Sequence, residues 1–420
     1  MRAQIITVGD ELCRGEIVNT NASWLAAALW EQQITVTHIT ACRDLAEDML
    51  AAVTTAAQNS DLVLVTGGLG PTLDDLTVDV LSALVGTEPQ VHVPSAERMT
   101  KRYAAAGFAP ANNTMRQVRV PGGAKAYENS AGAAPGFEIE LGSATVFGLP
   151  GPPREVKAIF ADHLATRIAQ LRHDSGEMEH VARKIFRSFG KGESNIAEAL
   201  EGLELADGAS LHYQVSFPET LVKVVVRHRE QERAQNILLA IETQVKRRLG
   251  TLIYGHDDDR LAASVGRELM ARGQTLATAE SCTGGMIASL LTDMAGSSAF
   301  FEGGAVTYSN AEKVRQLGVS EDTLRDHGAV SQAVVHEMAK GIRERVGADW
   351  GVSVSGIAGP GGGTEDKPVG TVWIAVAGPE GQSFAKKYHW PGTRDRIRTL
   401  AAHWALNAVR RQLSKASDDE

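Results

Sequence analysis

The sequence predicts an α/β protein in which two parallel-sheet domains are joined by a small α+β module. In residues 1–172, short apolar runs alternate with apolar residues at helical spacing, and the same alternation returns after residue 260. Glycine-rich loops follow several of these runs, whereas the stretch between the two domains changes to a strand–helix–strand–strand–helix order. Apolar strands that alternate with helices are typical of buried parallel sheets.

Length, charge and cysteine content exclude several classes of protein. A chain of 420 residues suits two or three domains at roughly 100–200 residues each. The net charge of -9 argues against nucleic acid or an anionic membrane as the main partner. The three cysteines form no CxxC pair, so neither a disulfide framework nor a zinc knuckle is indicated. With no signal-like segment and no apolar run of ~18 residues, we expect a cytoplasmic protein without a membrane span.

The first domain is predicted over residues 1–172. Its strands are expected at 5–8, 34–39, 62–65 and 144–147, and its helices at 21–30, 44–57, 75–85 and 154–171. Ligands of such sheets bind at the carboxyl ends of the strands. A middle module follows at 173–254, with strands at 181–186, 210–216 and 220–229 and helices at 193–200 and 230–249. It shows no catalytic constellation, and residues 255–259 are expected to be a polar linker.

The third domain is predicted over residues 260–414. Helices are expected at 261–272, after 285, and at 311–317, 332–346 and 394–412, with strands at 275–279, 304–308, 350–354 and 372–377. The acidic tail after Ser414 is expected to fray.

A first candidate site lies in the N-terminal domain. Four loop residues after the strand at 62–65 could hold a phosphate through backbone amides: Gly67, Gly68, Gly70 and Thr72. Four carboxylates close to strand ends could hold a hard divalent cation such as Mg²⁺: Asp10, Glu11, Asp74 and Asp75. Helix capping by Asp74 or Asp75 and a plain turn at Asp10 are the alternatives.

A second candidate site begins at Ser281, between a predicted strand and a helix. Such a sharp turn presents a nucleophilic hydroxyl in other hydrolases, and the amides of Thr283, Gly284 and Gly285 would stabilise an oxyanion or a phosphate. The alternative is that Ser281 only caps the helix and that Glu280 is a surface charge.

A serine nucleophile needs a base, and Lys313 is the candidate. If Asn310 caps the next helix, Lys313 lies in the first helical turn, where the helix dipole lowers the proton affinity of an amine. Tyr308 would share the proton relay. The alternative is a solvated surface lysine.

A glycine-rich loop and an arginine would complete this second site. Ser355, Gly356 and Gly359 belong to a loop whose amides could cradle an anion, and Arg394 could clamp a phosphate. A plain turn explains the loop equally well.

Five stretches of the third domain, 280–285, 306–313, 327–331, 355–360 and 367–371, together resemble the CinA C-terminal family. The resemblance implies a nicotinamide mononucleotide deamidase without a cofactor at this site. It implies Ser281 as nucleophile, Lys313 as base, Tyr308 and Thr283 as helpers, and Arg394 as a substrate ligand. Ser355 stands where many relatives have threonine, so a hydroxyl is retained.

Residues 9–12, 20–22, 66–77, 134–137 and 149–153 resemble the CinA N-terminal domain, which is similar to molybdopterin-binding proteins. This resemblance implies an ADP-ribose pyrophosphatase that depends on a divalent metal and is helped by K⁺. Cys13 and Arg14 depart from the apolar residues common in relatives.

Together, these features predict a bifunctional enzyme of pyridine nucleotide recycling that acts on nicotinamide mononucleotide and ADP-ribose. The resemblance also implies a homodimer. One alternative makes the N-terminal domain a molybdopterin-binding or adenylylating module. Another makes the protein a non-enzymatic accessory of competence or DNA damage that binds proteins or DNA; the acidic charge argues against the DNA contact.

Overall fold

The computed structural model describes residues 1–105, 107, 111–176 and 180–418. The chain divides into two compact units, Met1–Glu179 and His180–Glu420. The predicted boundary between residues 172 and 173 falls a few residues before this division, and residues 177–179 lie outside the described part. The middle module therefore belongs to the same unit as the third domain.

The first unit alternates strands and helices as predicted. Its elements are β1 (Arg2–Val8), α1 (Asp10–Cys13), α2 (Thr20–Glu31), β2 (Thr35–Cys42), α3 (Ala46–Asn59), β3 (Leu62–Thr66), α4 (Thr77–Leu84), β4 (Pro89–Val91), α5 (Val93–Ala105), β5 (Arg119–Pro121), β6 (Lys125–Tyr127), β7 (Gly136–Leu141), β8 (Ala144–Leu149), α6 (Pro153–Ile159) and α7 (Ala165–Asp174). A π-helical turn, Phe160–Leu164, joins α6 to α7.

The main sheet of the first unit has the order β2-β1-β3-β8-β7-β6. Its first four strands are parallel, which confirms the predicted class, and β7 and β6 add an antiparallel edge that the sequence reasoning missed. Helices α3 and α4 cover one face and α2 and α6 the other. Because Thr7 pairs with Thr66, the loops that follow β1 and β3 begin side by side.

The second unit contains the middle module and the third domain. Its elements are β9 (His180–Ser188), α8 (Glu193–Ala199), β10 (Ala209–Ser216), β11 (Glu219–His228), α9 (Gln231–Leu249), β12 (Ile253–His256), α10 (Leu261–Ala271), β13 (Leu276–Glu280), α11 (Met286–Thr292), β14 (Phe301–Val306), α12 (Asn310–Leu317), α13 (Glu321–His327), α14 (Gln332–Val346), β15 (Trp350–Gly356), β16 (Thr371–Ala377), β17 (Ser383–His389) and α15 (Arg394–Asp418).

The middle module is an antiparallel sheet of order β10-β11-β9-β12, packed against α8 and α9. The stretch expected as a linker, residues 255–259, is partly strand: Gly255 pairs with Arg187 and His256 with Phe186. The Asp259 carboxylate accepts a hydrogen bond from the His256 amide at 2.8 Å. Residues 255 and 256 are therefore held in a strand by pairing with β9, although the polar composition of this stretch suggested a linker.

The third domain is built on a sheet of order β14-β13-β15-β16-β17. The first three strands are parallel, as predicted, but β16 runs antiparallel to β15, and the edge strand β17 was missed. Glu280 at the end of β13 pairs with Val306 on one side and Val354 on the other. The loops after these three strands therefore start at one edge of the sheet, where the site is expected.

Direct contacts join the middle module to the third domain within this unit. The rings of Phe189 and Trp404 lie 5.1 Å apart, edge to face. Arg410 donates a hydrogen bond to the Thr251 carbonyl at 2.6 Å, and burial lowers the pKa of Arg410 to about 10.

The C-terminal helix α15 extends to Asp418, and residues 419 and 420 lie outside the described part. The fraying expected after Ser414 stays a prediction. Among the helices of the described residues, none combines the length and the apolar character that crossing a bilayer requires.

A close helix–helix approach links the core of the third domain to its site. A Cβ atom added to Gly341 of α14 would lie 1.9 Å from the Leu317 carbonyl oxygen at the end of α12, the helix that carries Lys313. Gly341→Ala is therefore expected to lower the free energy of unfolding by about 1–3 kcal/mol, because α12 must move outward. Urea unfolding checks this value. Glu344→Ala, an exposed change on the same helix, is the control, and equal stabilities would contradict the packing account.

Candidate active site

Ser281 lies in a tight turn, not at a helix cap. β13 ends at Glu280, and the Ser281 amide donates to the Val354 carbonyl at 3.0 Å, which anchors the residue to the sheet. Helix α11 begins only at Met286 and its N-cap is Gly285. The capping role considered for Ser281 is therefore wrong, and residues 281–285 form what we call the nucleophile turn.

The Lys313 amine contacts the Ser281 hydroxyl. Lys313 Nζ lies 3.2 Å from Ser281 Oγ, 2.8 Å from the Thr307 carbonyl oxygen and 3.5 Å from the Tyr308 carbonyl oxygen. A neutral amine has two N–H bonds, which suit the two carbonyls. Its lone pair is then left for the proton of Ser281.

Burial accounts for the state of this amine. Lys313 is 1 % exposed, and burial lowers its pKa from the ordinary 10.5. Its hydrogen bonds go to a hydroxyl and to carbonyls, and no carboxylate forms an ion pair with it among the described residues. Lys313 is in the first turn of α12, as predicted, but Ser309 caps that helix, and Asn310, expected as the cap, is its exposed first residue.

Glu280 is buried and occupies the start of α11, so it is not the surface charge considered as an alternative. Its carboxylate accepts hydrogen bonds from the amides of Gly285 at 3.0 Å, Ile287 at 3.1 Å and Ala288 at 2.9 Å. The Gly284 amide donates to the Ser281 carbonyl at 3.1 Å. The prediction that Gly284 and Gly285 offer their amides to an anion is therefore wrong, because protein oxygens already hold both.

Two amides of the nucleophile turn remain available. The amides of Cys282 and Thr283 donate to no other residue in the described part of the chain. The amide that follows a nucleophile is the usual oxyanion donor in hydrolases with this turn. Burial raises the pKa of the Cys282 thiol to about 12, which argues against a thiolate at this position and leaves Ser281 as the candidate nucleophile of the turn. The Thr283 hydroxyl is buried and has no hydrogen-bond partner among the residues that the structure describes.

Tyr308, Gly359 and Arg394 come together. Arg394, at the start of α15, donates to the Gly359 carbonyl at 2.8 Å and to the Tyr308 hydroxyl at 3.2 Å. The Tyr308 side chain is 62 % exposed. Tyr308 meets Lys313 through its carbonyl and not through its phenol, so the phenol is placed beside Arg394 instead of in the expected proton relay.

Ser355 and Gly356 support the site from within the sheet. The buried Ser355 hydroxyl donates to the Ala329 carbonyl at 2.7 Å, which joins two of the motifs. A Cβ atom on Gly356 would lie 3.1 Å from Cys282 Sγ, so the glycine allows β15 to approach the nucleophile turn.

In the first unit, the glycine loop after β3 has both occupied and available amides. The Gly67 amide donates to the Leu149 carbonyl at 3.1 Å, and the Thr72 amide donates to the Asp75 carboxylate at 2.8 Å. The Thr72 hydroxyl contacts the same carboxylate. The amides of Gly68 and Gly70 donate to no other residue that the structure describes. Only part of the predicted phosphate cradle is thus available, because Gly67 and Thr72 hold the loop together.

The predicted acidic residues separate into two groups. Asp75 closes its own loop by accepting from Thr72, and the capping alternative is wrong because α4 has Leu76 as its N-cap and no side-chain cap hydrogen bond. Asp10 exchanges hydrogen bonds with Asp44, whose carboxylate accepts from the Asp10 amide at 2.7 Å, and it also pairs with Arg14. Burial, followed by the charges of Glu11, Asp10 and Asp74, raises the pKa of Asp44. Asp44, which the sequence reasoning did not select, is therefore the centre of this cluster.

A hard divalent cation fits these residues by donor chemistry. Carboxylates that raise the pKa of a neighbour are a region of excess negative charge, and Mg²⁺ prefers oxygen ligands. Their present positions are not a coordination shell: within residues 1–105, 107, 111–176 and 180–418, no three His, Cys, Asp or Glu side chains are arranged to hold a metal ion.

Comparisons with known proteins place the chain in a family. Family models match it in three consecutive stretches: "Probable molybdopterin binding domain" over residues 4–170, "Damage-inducible protein CinA KH domain" over 183–255 and "CinA C-terminal domain" over 258–413. A CinA-like protein of Shewanella baltica is 37% identical over 98% of this chain and 96% of its own length. The chain belongs to the CinA family.

Two other relatives illustrate the range of the CinA family. A putative competence-damage inducible protein of Symbiobacterium thermophilum is 39% identical over 98% of this chain and 99% of its own length. The solved structure of competence damage-inducible protein A from Klebsiella pneumoniae is 44% identical, with a TM-score of 0.36, and covers 37% of this chain and 95% of its own. The family membership inferred from the motifs is confirmed.

Glu280, Asp44 and Arg398 are the residues of this CinA-family chain that sequence reasoning missed as site components. Arg398 donates to the carbonyls of Cys282 and Thr283. No motif around Arg398 indicates this contact, because Arg398 follows Cys282 by more than a hundred residues. Glu280 lies inside a recognised motif, and its position at the end of a buried strand could have indicated that its side chain is buried as well.

The buried amine predicts a pH-dependent stability difference. Because the folded protein lowers the pKa of Lys313, the unfolded chain binds the extra proton below pH 10.5, and folding loses stability as the pH falls. Lys313→Met removes this term. We expect the variant to be more stable than the wild type at about pH 7.5, with a gain that shrinks by up to about 1.4 kcal/mol per pH unit as the pH rises toward 10.5.

Urea unfolding at about pH 7.5 and about pH 10 measures this difference. Lys340→Met, at an exposed lysine of α14, is the matched control and should show no such trend. A difference that is constant with pH would contradict the lowered pKa of Lys313.

Proposed function

We propose that the third domain hydrolyses the carboxamide of nicotinamide mononucleotide to nicotinic acid mononucleotide and ammonia. The observation that carries the proposal is the buried Lys313 amine, 3.2 Å from the Ser281 hydroxyl. A serine is a weak nucleophile until a base takes its proton, and a lysine serves as that base only when its amine is neutral.

The reaction follows from the placement of these groups. Lys313 Nζ takes the proton of Ser281 Oγ, and the oxygen attacks the carboxamide carbon. The amides of Cys282 and Thr283 are the available donors for the oxyanion that forms. Lys313 returns the proton to the departing nitrogen, ammonia leaves, and water then hydrolyses the acyl-enzyme by the same route.

The substrate identity rests on the family resemblance and on two features of the site. Arg394 offers a guanidinium close to the glycine loop for the phosphate, and the exposed Tyr308 ring offers a face for a cationic pyridinium ring. Glu280 already neutralises the start of α11, so Arg394 rather than that helix end is the candidate anion site.

Ser281→Ala is expected to abolish ammonia release from nicotinamide mononucleotide, by a factor of at least about 10³, because the acyl-enzyme no longer forms. Chromatography of nicotinic acid mononucleotide together with an ammonia assay measures the loss. Ser289→Ala, at an exposed serine of α11, is the matched control and should keep the wild-type rate. Full turnover by Ser281→Ala would refute the proposal.

For the first unit, we propose hydrolysis of ADP-ribose to AMP and ribose 5-phosphate. The supporting observation is the pair of hydrogen bonds that Asp10 and Asp44 exchange after β1 and β2, at the strand edge where the loop after β3 keeps the amides of Gly68 and Gly70 available. The charges of Glu11, Asp10 and Asp74 contribute, after burial, to the raised pKa of Asp44. A bound divalent cation would neutralise charge on the diphosphate. Asp10, Glu11, Asp44 and Asp74 would hold it, and the loop amides would hold phosphate oxygens. Help from K⁺, the homodimer and the cytoplasmic location stay predictions.

Asp44→Asn is expected to reduce ADP-ribose hydrolysis at least about tenfold, while nicotinamide mononucleotide hydrolysis in the same preparation stays unchanged. EDTA should likewise stop only the first reaction. Glu47→Gln, at an exposed residue of α3, is the control. Turnover of ADP-ribose that EDTA leaves intact would reject the metal, and binding of molybdopterin without any turnover of ADP-ribose would favour the alternative function.

A further inference from the structure

Arg398 lies behind the nucleophile turn and contacts only its backbone there. Its Nε donates to the Cys282 carbonyl at 3.2 Å and its Nη2 to the Thr283 carbonyl at 2.9 Å. The side chain is 27 % exposed, and Asp395, at 4.0 Å from Nη1, is almost fully exposed and offsets little of its charge. A mostly buried positive charge is thus directed at two consecutive carbonyls next to Ser281.

The first of these carbonyls belongs to the same peptide group as an available amide. The Cys282 carbonyl and the Thr283 N–H are the two ends of one peptide plane. A charged donor on the carbonyl withdraws electron density from the whole group, which makes the N–H at the other end a stronger donor. Arg398 Nε therefore strengthens the Thr283 amide.

The second carbonyl leads, through one hydrogen bond, to the other available amide. The Thr283 carbonyl shares its peptide group with the Gly284 N–H, which donates to the Ser281 carbonyl at 3.1 Å. The Ser281 carbonyl in turn shares its peptide group with the Cys282 N–H. Hydrogen bonds in such a chain polarise one another in the same direction. The chain that starts at Arg398 Nη2 therefore ends at the Cys282 amide.

We propose that Arg398 is a positioning residue that strengthens both candidate oxyanion donors, Cys282 N–H and Thr283 N–H, without touching the substrate. The proposal rests on acyl transfer at Ser281 and deepens it. A guanidinium suits this role because its planar fork can serve two neighbouring carbonyls at once, which a lysine cannot do in the same way.

Arg394 is the natural comparison, since it precedes Arg398 by one helical turn of α15. Arg394 reaches the Gly359 carbonyl and the Tyr308 hydroxyl, on the side where the substrate phosphate is expected. Loss of Arg394 should weaken substrate binding, whereas loss of Arg398 should weaken only the stabilisation of charge that develops in the transition state.

Steady-state kinetics with nicotinamide mononucleotide separates the two roles. For Arg398→Gln we expect kcat to fall at least about tenfold with KM within about twofold, and for Arg398→Lys a smaller fall in kcat. Arg394→Gln should mainly raise KM. Arg325→Gln, at an exposed arginine of α13, should match the wild type. A wild-type kcat in folded Arg398→Gln would overturn the proposal; if that variant does not fold, a wild-type kcat in Arg398→Lys would do so.

A second measurement does not depend on the identity of the substrate. A fluorophosphonate probe phosphonylates an activated serine: the Ser281 oxygen bonds to phosphorus, fluoride leaves as the P–F bond breaks, and Lys313 takes the serine proton. The negative charge that develops on the phosphoryl oxygen uses the same oxyanion donors. Mass spectrometry should locate the probe on Ser281 and show slower labelling of Arg398→Gln by about the factor seen in kcat. If the wild type labels but does not turn over nicotinamide mononucleotide, the proposed substrate fails while a slower Arg398→Gln supports the inference. Equal labelling rates would overturn the inference alone, and an unreactive Ser281 in the wild type would overturn both.

Discussion

The site of the third domain depends on one costly arrangement, a lysine amine buried beside a serine, with no carboxylate paired to it among the described residues. Removing an ammonium from water costs several kcal/mol even in a relaxed protein, so burial lowers the pKa of Lys313 and favours the neutral amine. Three structural features hold Lys313 beside Ser281. The parallel strands β14, β13 and β15 end at one edge of the sheet, and Ser309 caps α12, the helix that carries Lys313. Gly341 allows α14 to pack closely against the end of α12. The stability of the sheet offsets the cost of the amine.

Charge is distributed in opposite ways in the two units. Around the nucleophile turn, Arg398 donates to the Cys282 carbonyl and Arg394 to the Gly359 carbonyl, while the Glu280 carboxylate is held by helix amides and the Asp395 carboxylate is almost fully exposed. In the first unit, burial and the charges of three neighbouring carboxylates, Glu11, Asp10 and Asp74, raise the pKa of Asp44. The site of the third domain is therefore suited to bind an anion directly, whereas the site of the first unit is suited to bind an anion together with a metal cation.

Much of this could be predicted from the sequence, for identifiable reasons. The alternation of strands and helices could be predicted from the local periodicity of apolar residues. The position of Lys313 in the first turn of α12 could be predicted from its spacing to the residues at the start of that helix. The sequence reasoning missed β7 and β17, and it expected β16 in a parallel sheet although this strand runs antiparallel to β15. Strand direction depends on how the strands are connected, which composition does not reveal. Glu280 was undervalued because a carboxylate is usually exposed, and only the folded turn shows which three amides it meets. Arg398 and Asp44 could not be recognised as site residues from local motifs, because they reach the sites through contacts with residues that are far away in the sequence.

The contacts between Phe189 and Trp404 and between Arg410 and Thr251 bear on how such a chain can be divided. Cutting the polypeptide near Asp259 would leave an indole face and a guanidinium, both adapted to a protein neighbour, in water. The C-terminal domain of this chain is therefore adapted to the module before it. If the domain is produced alone, other side chains must replace the surface that Phe189 and Thr251 cover.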